Sequence, residues 1–223
     1  EDVRLLNESK DDEANVALLK ARVVTSINAN LTGETDITQA RPLAENAGIC
    51  FQGPVKVGPF ELQDLVAQQM FSWSNPHGSS NTEVIKPWLN ASDITGRSRK
   101  MWIIDFGDLK MEDAALYEAP FEYVKRNVKP LRDENNDRQR KVFWWRLGRS
   151  GSDFKKAKAD KNRIVITPRV AKHRVFVWAP TELVPDSRLF AFARDDDYFF
   201  GILHSRTHEV WSLRTSSRHG VGN

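Results

Sequence analysis

The stretch RIVITPRVAKHRVFVW, residues 163–178, decides the fold class. Arg163-Ile164-Val165-Ile166-Thr167 and Arg174-Val175-Phe176-Val177-Trp178 are runs of β-branched and aromatic residues, joined by Pro168-Arg169-Val170-Ala171-Lys172-His173. That composition on both sides of a turn predicts paired antiparallel strands. Leu189-Phe190-Ala191-Phe192-Ala193 predicts a third strand and Met101-Trp102-Ile103-Ile104-Asp105-Phe106 another. Gly48 to Gly53 reads as a short strand ended by Pro54, with Cys50 as a buried thiol.

Helical signals surround these runs. Glu61 to Phe71 places Leu62, Leu65, Val66 and Met70 on one face. Residues 111–127 carry Glu112 and Asp113 in a first turn and Lys125-Arg126 in a last, which suits the helix dipole. Pro120 is expected to break that helix after Glu118, and Pro130 to open another through about Arg140. Asp195-Asp196-Asp197 caps a helix with Phe199, Phe200, Ile202 and Leu203, and a second helical turn runs through Val210, Trp211 and Leu213. The predicted class is α+β, with antiparallel sheets and several short helices in two lobes. Residues 1–46 are polar and irregular, strand-like only at 3–6 and 21–24, with an exposed charged turn over Glu8–Glu13, and read as a linker leaving an upstream domain. Residues 47–223 form the module itself.

Composition narrows the function. With 40% hydrophobic and 10% aromatic residues among 223, the chain is not disordered. Its longest apolar runs, such as Val175 to Ala179, fall far short of the roughly 20 residues that span a bilayer. A single cysteine excludes an internal disulfide framework and a Cys-rich zinc knuckle, and fits a cytoplasmic setting. The chain opens at Glu1 with neither an initiator Met nor a signal peptide, as an excised fragment would.

The net charge of +3 hides an asymmetry. Residues 1–121 hold 11 Lys/Arg against 18 Asp/Glu, and residues 122–223 hold 22 against 12. The segment 125–174 alone carries 17 basic and 5 acidic residues, interleaved with Asn135, Asn136, Trp144, Trp145, Asn162 and His173. Phosphate backbones favour such a surface, because each cation that neutralises a phosphate releases a counterion. An anionic membrane fits less well, since the run has no clean amphipathic face. Arg169, Lys172, His173 and Arg174, on the loop between two strands, are candidate base readers. Arg97, Arg99, Lys100, Lys125, Arg126, Lys129, Arg132, Arg138, Arg140, Lys141 and Arg149 are candidate phosphate contacts. Of the adjacent pair Trp144-Trp145, at least one belongs to the core, and the pair is not a stacking platform.

Catalytic signatures are missing. No phosphate-binding or dinucleotide-binding glycine motif and no nucleophile elbow is present. His204 and His208 have the spacing of two metal ligands but no third partner, and structural use fits them better. Asp186 with Asp195, Asp196 and Asp197 offers a metal-dependent nuclease as an alternative, although helix capping accounts for the triple aspartate. Asn75-Pro76-His77 has only part of the Asn-Pro-Pro-aromatic loop of adenine methyltransferases and reads as a turn.

Four runs give the chain a resemblance: KPWLNASDITGR (86–97), MWIIDFGDLKMEDAALYEAPFEYVKRNVKPLRDENN (101–136), ITPRVAKHRVFVW (166–178) and DDDYFFGILHSRTHEVWSLR (195–214). They resemble the region after the catalytic domain in MmeI-like, class I S-adenosylmethionine-dependent bacterial DNA methyltransferases of restriction–modification systems, and residues 27–53 are similar to the connection entering it. The resemblance covers about residues 27–223. It implies a target recognition domain: a two-lobed α+β module that grips duplex DNA and chooses the sequence methylated, usually at an adenine amino group, by the domain upstream. It also implies no catalytic residue, metal or cofactor in this chain, with S-adenosylmethionine held by the parent enzyme in the bacterial cytoplasm. The segment around Arg169, Lys172, His173 and Arg174 is the part it places against DNA. The chain stops at Gly220-Val221-Gly222-Asn223, where the family continues into a C-terminal segment. A basic scaffold for an acidic partner protein is the other alternative. No RRM-like or KH-like signature points to RNA.

Overall fold

The structure is a computed structural model that describes residues 3–11, 16–27, 33, 36–37 and 40–216. The first elements are strands β1 (Val3–Asp11) and β2 (Val16–Val24), paired antiparallel from Val3 opposite Val24 to Asp11 opposite Val16. This ladder corrects the irregular reading of the N-terminal stretch: the two strand-like fragments are the paired ends of longer strands. Of the charged run Glu8–Glu13, residues 8–11 lie in β1, while 12 and 13 lie outside the described residues, as does the chain end at 220–223.

Then follow β3 (Cys50–Gln52), β4 (Glu61–Leu62), helix α1 (Asp64–Phe71), β5 (Ile85–Leu89), α2 (Ala91–Thr95) and β6 (Met101–Ile104). A helical run comes next: α3 (Met111–Ala115), α4 (Glu118–Asn127), α5 (Lys129–Asp133), α6 (Arg138–Val142) and α7 (Ser152–Ala157). The chain closes with β7 (Arg163–Pro168), β8 (Val177–Pro180), β9 (Val184–Pro185), β10 (Leu189–Phe192), α8 (Asp197–Leu203) and α9 (Arg206–Thr215). The architecture is α+β, as the strand and helix signals predict.

Two four-stranded sheets organise two lobes. The first, in order β4-β6-β5-β9, is antiparallel except for the pair β5–β9. Its core joins Phe60, Leu62, Ile85, Ile103 and Ile104 to Val124, Val128, Trp144 and Trp145. The second sheet, β3-β10-β7-β8, is antiparallel throughout. Strand alternation divides β7 between two cores. Ile164 and Ile166 pack with Phe154 of α7, Ala179 and Ala191. Val165 faces the other way, onto Phe176 and Leu203, beside Phe199 and Phe200 of α8. Both faces of this sheet are therefore covered.

Three crossings join the lobes. The chain leaves the second sheet through residues 53–58 and returns through 147–151, and these two passages pair: Val55 N–H donates to Arg149 O at 3.2 Å, Arg149 N–H to Val55 O at 2.9 Å, and Gly148 N–H to Lys56 O at 3.1 Å. At the third crossing β9 lies beside β5, and Asp186 N–H donates to Leu89 O at 2.7 Å. An ion pair of 2.6 Å between Lys155 of α7 and the buried carboxylate of Asp105, which follows β6, adds a tie.

Several local expectations change for physical reasons. Leu62 is buried in β4 beside Trp102, so the helix begins only after Gln63, and Leu65 is left exposed. The 111–127 helix divides at Tyr117, whose backbone (φ −89°, ψ 73°) leaves the helical region. Pro120 is then in the first turn of α4, where its missing N–H costs no hydrogen bond. Cys50 is exposed, because β3 is an edge strand with only β10 beside it. β8 starts at Val177, three residues later than predicted, since Phe176 turns inward between the rings of His204 and His208. Trp144 and Trp145 are both core residues, and Trp145 Nε1–H donates to Leu109 O at 3.0 Å. Among the described residues no helix is long and apolar enough to cross a membrane.

A candidate nucleic-acid interface at the lobe junction

Segments far apart in sequence meet where β7 ends and β10 begins. Leu189 pairs with Pro168, and one residue further out Arg169 N–H donates to Arg188 O at 2.9 Å. Gly53 N–H donates to Leu189 O at 3.1 Å, which brings in the 53–58 crossing and, through Val55, Arg149. The loop after α2 arrives from the other lobe, and Arg99 lies within electrostatic reach of Asp186. Lys56 feels Asp186, Arg188 and Arg99 at once; burial pushes its amine below the ordinary value, Asp186 opposes that, and the two arginines add to it. Lys56, Arg99 and Arg188 thus lie near one almost buried carboxylate, Asp186, although Lys56 also pairs with Glu61 and Arg99 with Asp93, while Arg169 and Arg149 join the neighbourhood through backbone hydrogen bonds. The two non-glycine residues with positive φ among those described, Val57 (50°) and Lys100 (51°), are immediate neighbours of Lys56 and Arg99. Strained backbone of this kind persists only where its surroundings fix it.

Of the predicted base readers, Arg169 is tied to this junction, and the loop it opens carries the others. Arg169, Lys172, His173 and Arg174 are all exposed on the 169–176 loop. Arg169 Nη1 donates to Ser187 O at 3.2 Å and its guanidinium lies 5.5 Å from the Phe190 ring, while Arg174 Nη2 reaches Ser216 Oγ at 3.3 Å. Val170, 65% exposed, adds an apolar group among these cations.

The phosphate candidates divide into three groups. Arg132 is corrected: it is 2% exposed, and its Nη2 donates to Lys56 O at 2.9 Å and Arg146 O at 3.1 Å, so no phosphate reaches it. Lys125, Lys129 and Arg140 pair within one helical turn with Glu122, Asp133 and Asp137, and Arg99 pairs with Asp93. Arg97, Lys100, Arg126, Arg138, Lys141 and Arg149 have no acidic partner among the described residues. The basic 125–174 segment is therefore not one surface. Arg146 donates to Asp108 O and Leu109 O, Arg163 pairs with Asp197 over the Trp178 ring, and Lys158 donates to Thr181 O and Leu183 O, so internal ties consume part of the charge. Lys56 and Arg188, the additional cations at the junction, are isolated charges in sequence; only the β-ladder and the two crossings reveal them.

Asp93 organises the loop that carries Arg97, Arg99 and Lys100. Its carboxylate accepts from Asn90 N–H at 2.9 Å, closing a capping box on α2, and from Arg99 through N–H at 2.9 Å, Nε at 3.0 Å and Nη2 at 2.8 Å. The Arg99 guanidinium, aided by the two backbone N–H groups and opposed by burial, holds the Asp93 carboxyl down to about 2. A depressed carboxylate contributes stability above its unfolded value, near 3.8, and loses it as pH falls toward 2. Asp93→Asn is expected to cost roughly 2 kcal/mol at neutral pH, and the gap to wild type should close between pH 4 and 2. Urea melts at pH 7 and pH 3 check this; a gap independent of pH would contradict it.

The other candidate centres are structural. Among the described residues no three His, Cys, Asp or Glu side chains group as a metal site. Asp196 caps α8 by accepting Phe199 N–H at 2.8 Å and pairs with Arg194, Asp197 pairs with Arg163, and Asp186 accepts Arg188 N–H at 2.8 Å. His204 and His208 bond the carbonyls of Phe200 and Leu203. Asn75 donates to Ser79 O and Asn81 Oδ1 and accepts Glu118 N–H, so the Asn75-Pro76-His77 segment is a turn whose buried Asn75 anchors the start of α4.

No family model matches the sequence, and no curated protein matches it. Among solved structures the chain is similar to the Type IIL restriction–modification enzyme MmeI, determined in complex with DNA, with a TM-score of 0.66 at 12% identity. The match covers 97% of this chain and 28% of that one, so the chain spans less than a third of the enzyme it matches. The likeness is one of fold.

Proposed function

We propose that this chain is a DNA target recognition module of a restriction–modification enzyme. In that reading it selects the duplex sequence on which a methyltransferase domain, upstream in the same polypeptide, modifies an adenine amino group. One observation carries the reading: Lys56 and Arg99 from one side and Arg169 and Arg188 from the other meet at one end of the second sheet, with Arg149 tied in through Val55, beside the crossings that join the two lobes. Cations from both lobes around a duplex would fix its position through phosphates, while the exposed 169–174 loop supplies arginine, lysine, histidine and the apolar Val170 for base edges. The shared fold with a DNA-bound restriction–modification enzyme supports the same direction.

The described residues do not fit a S-adenosylmethionine site. Among them the one parallel strand pair, β5 with β9, is two residues long, and no glycine-rich turn leads from it into a helix. No methyl-transfer step is assigned to this chain, and the proposal gives it a binding role.

Fluorescence anisotropy of the chain with mixed-sequence duplex DNA, across a salt series, tests the proposal. The logarithm of affinity should fall against log salt with a slope of about −0.9 per phosphate engaged, or roughly a thousandfold for six contacts between about 50 and 200 mM. Single-stranded RNA should bind more weakly. No duplex binding at low salt, or a flat slope, would overturn the reading and favour a basic scaffold that meets an acidic protein.

A further inference from the structure

The turn from Pro185 to Leu189 is held from every side. Asp186 N–H donates to Leu89 O at 2.7 Å, and its carboxylate accepts Arg188 N–H at 2.8 Å. Leu189 N–H donates to Asp186 O at 2.8 Å, and Arg188 O accepts Arg169 N–H at 2.9 Å. Ser187 O accepts both Gln52 Nε2 at 2.9 Å and Arg169 Nη1 at 3.2 Å. Six hydrogen bonds thus fix a five-residue turn at the meeting point of both lobes, and Asp186 is 6% exposed. The Arg188 side chain is the exception. It is exposed, and it makes no hydrogen bond or ion pair among the described residues.

We propose that Arg188 is a sequence-determining contact to a base of the duplex, and that Asp186 is the residue that positions it. This rests on the reading of the chain as a DNA recognition module and extends it to a residue outside the 169–174 loop. A phosphate contact tolerates a flexible side chain, because a point charge suffices. Base reading by the planar fork of an arginine is favoured where the backbone that carries it is fixed, so that fewer placements of the side chain remain to be ordered on binding. Arg188 meets that condition better than Lys172, which stands on the exposed 169–176 loop. Asp186 also lies within electrostatic reach of Lys56 and Arg99, and its carboxylate accepts the Arg188 N–H, not the guanidinium, which has no partner among the described residues.

The test is selection of duplexes from a random library by the wild-type chain, Arg188→Ala and Arg188→Lys, followed by affinity measurements on the selected site. The wild type should select a consensus containing a position whose discrimination, about tenfold or more, disappears in both variants. Asp186→Ala should blur the same position, and Asp186→Asn, which keeps an acceptor for Arg188 N–H, should restore it in part. If both Arg188 variants select the wild-type consensus, or if Arg188→Lys retains the position in full, the proposal for Arg188 falls while duplex recognition stands. If the wild type binds duplex without selecting any consensus, base reading by Arg188 is also overturned. If it binds no duplex at all, the underlying reading falls and this one with it.

Discussion

Replacing Gly53 with alanine is expected to destabilise the protein by roughly 3 kcal/mol or more, the largest loss for any single added methyl at the lobe junction. A Cβ at Gly53 would lie 2.3 Å from Asp186 O, 2.4 Å from Pro185 O and 2.7 Å from Asp186 C. All three are backbone atoms, so no rotamer change relieves the clash. The backbone itself is pinned, with Asp186 bonded to Leu89 on one side and to Leu189 on the other. The choice left is to separate β3 from the third crossing or to tear β9 from β5. Gly201, in the middle of α8, is the control. A Cβ there meets nothing within 4 Å, and Gly201→Ala should be neutral or stabilising by up to about 1 kcal/mol, because alanine favours the helix. Urea denaturation of both variants checks the contrast. A Gly53→Ala midpoint equal to wild type would mean that the crossing is free to move, and the rigid turn that presents Arg188 would then lose its foundation.

How much of this was legible in the sequence depended on whether the controlling interaction was local. The strand pair within 163–178, the strand at 189–193 and the cap at Asp196 are set by neighbouring residues, and they stand where the pattern places them, with the start of β8 shifted by the inward turn of Phe176. The candidate site was legible only in part. Arg169, Lys172, His173 and Arg174 are exposed together because a charged loop between two strands has nowhere else to go. Counting charge over 125–174 could not separate Arg149, which has no acidic partner among the described residues, from Lys155 and Arg163, which carboxylates distant in sequence hold. Lys56 and Arg188 show the converse. Neither sits in a basic run, and what brings them together is the antiparallel register of β10 with β3 and β7, a long-range property. Helix ends followed the same division: Leu62 has helical spacing to Val66, yet pairing with β6 captures it first.

Arg132→Ala is the second large effect, expected at roughly 3–4 kcal/mol, and it separates a structural arginine from the binding ones around it. The guanidinium is buried without a carboxylate partner among the described residues, and burial pushes its ionisation below the ordinary value, with Arg140 adding to the shift and Asp137 opposing it. It is retained because Nη2 joins the two crossings from beneath, through Lys56 O and Arg146 O, and because the Phe60 ring lies 5.8 Å from its charged carbon. Lys56 O keeps the Gly148 N–H after truncation, so the main losses are the orphaned Arg146 carbonyl and the cavity left between α5 and Phe60. Arg132→Met, which fills most of that space and removes a costly buried charge, should lose less than Arg132→Ala. Two consequences follow from the crossings' position under the basic cluster. Both variants should weaken duplex binding in proportion to their loss of folded protein, and neither should reduce the salt slope, because Arg132 meets no phosphate. Salt-series binding and urea midpoints measured on the same samples test both points. A slope reduced by about one contact in Arg132→Met, with stability unchanged, would restore Arg132 to the phosphate contacts and require the crossings to open when DNA binds.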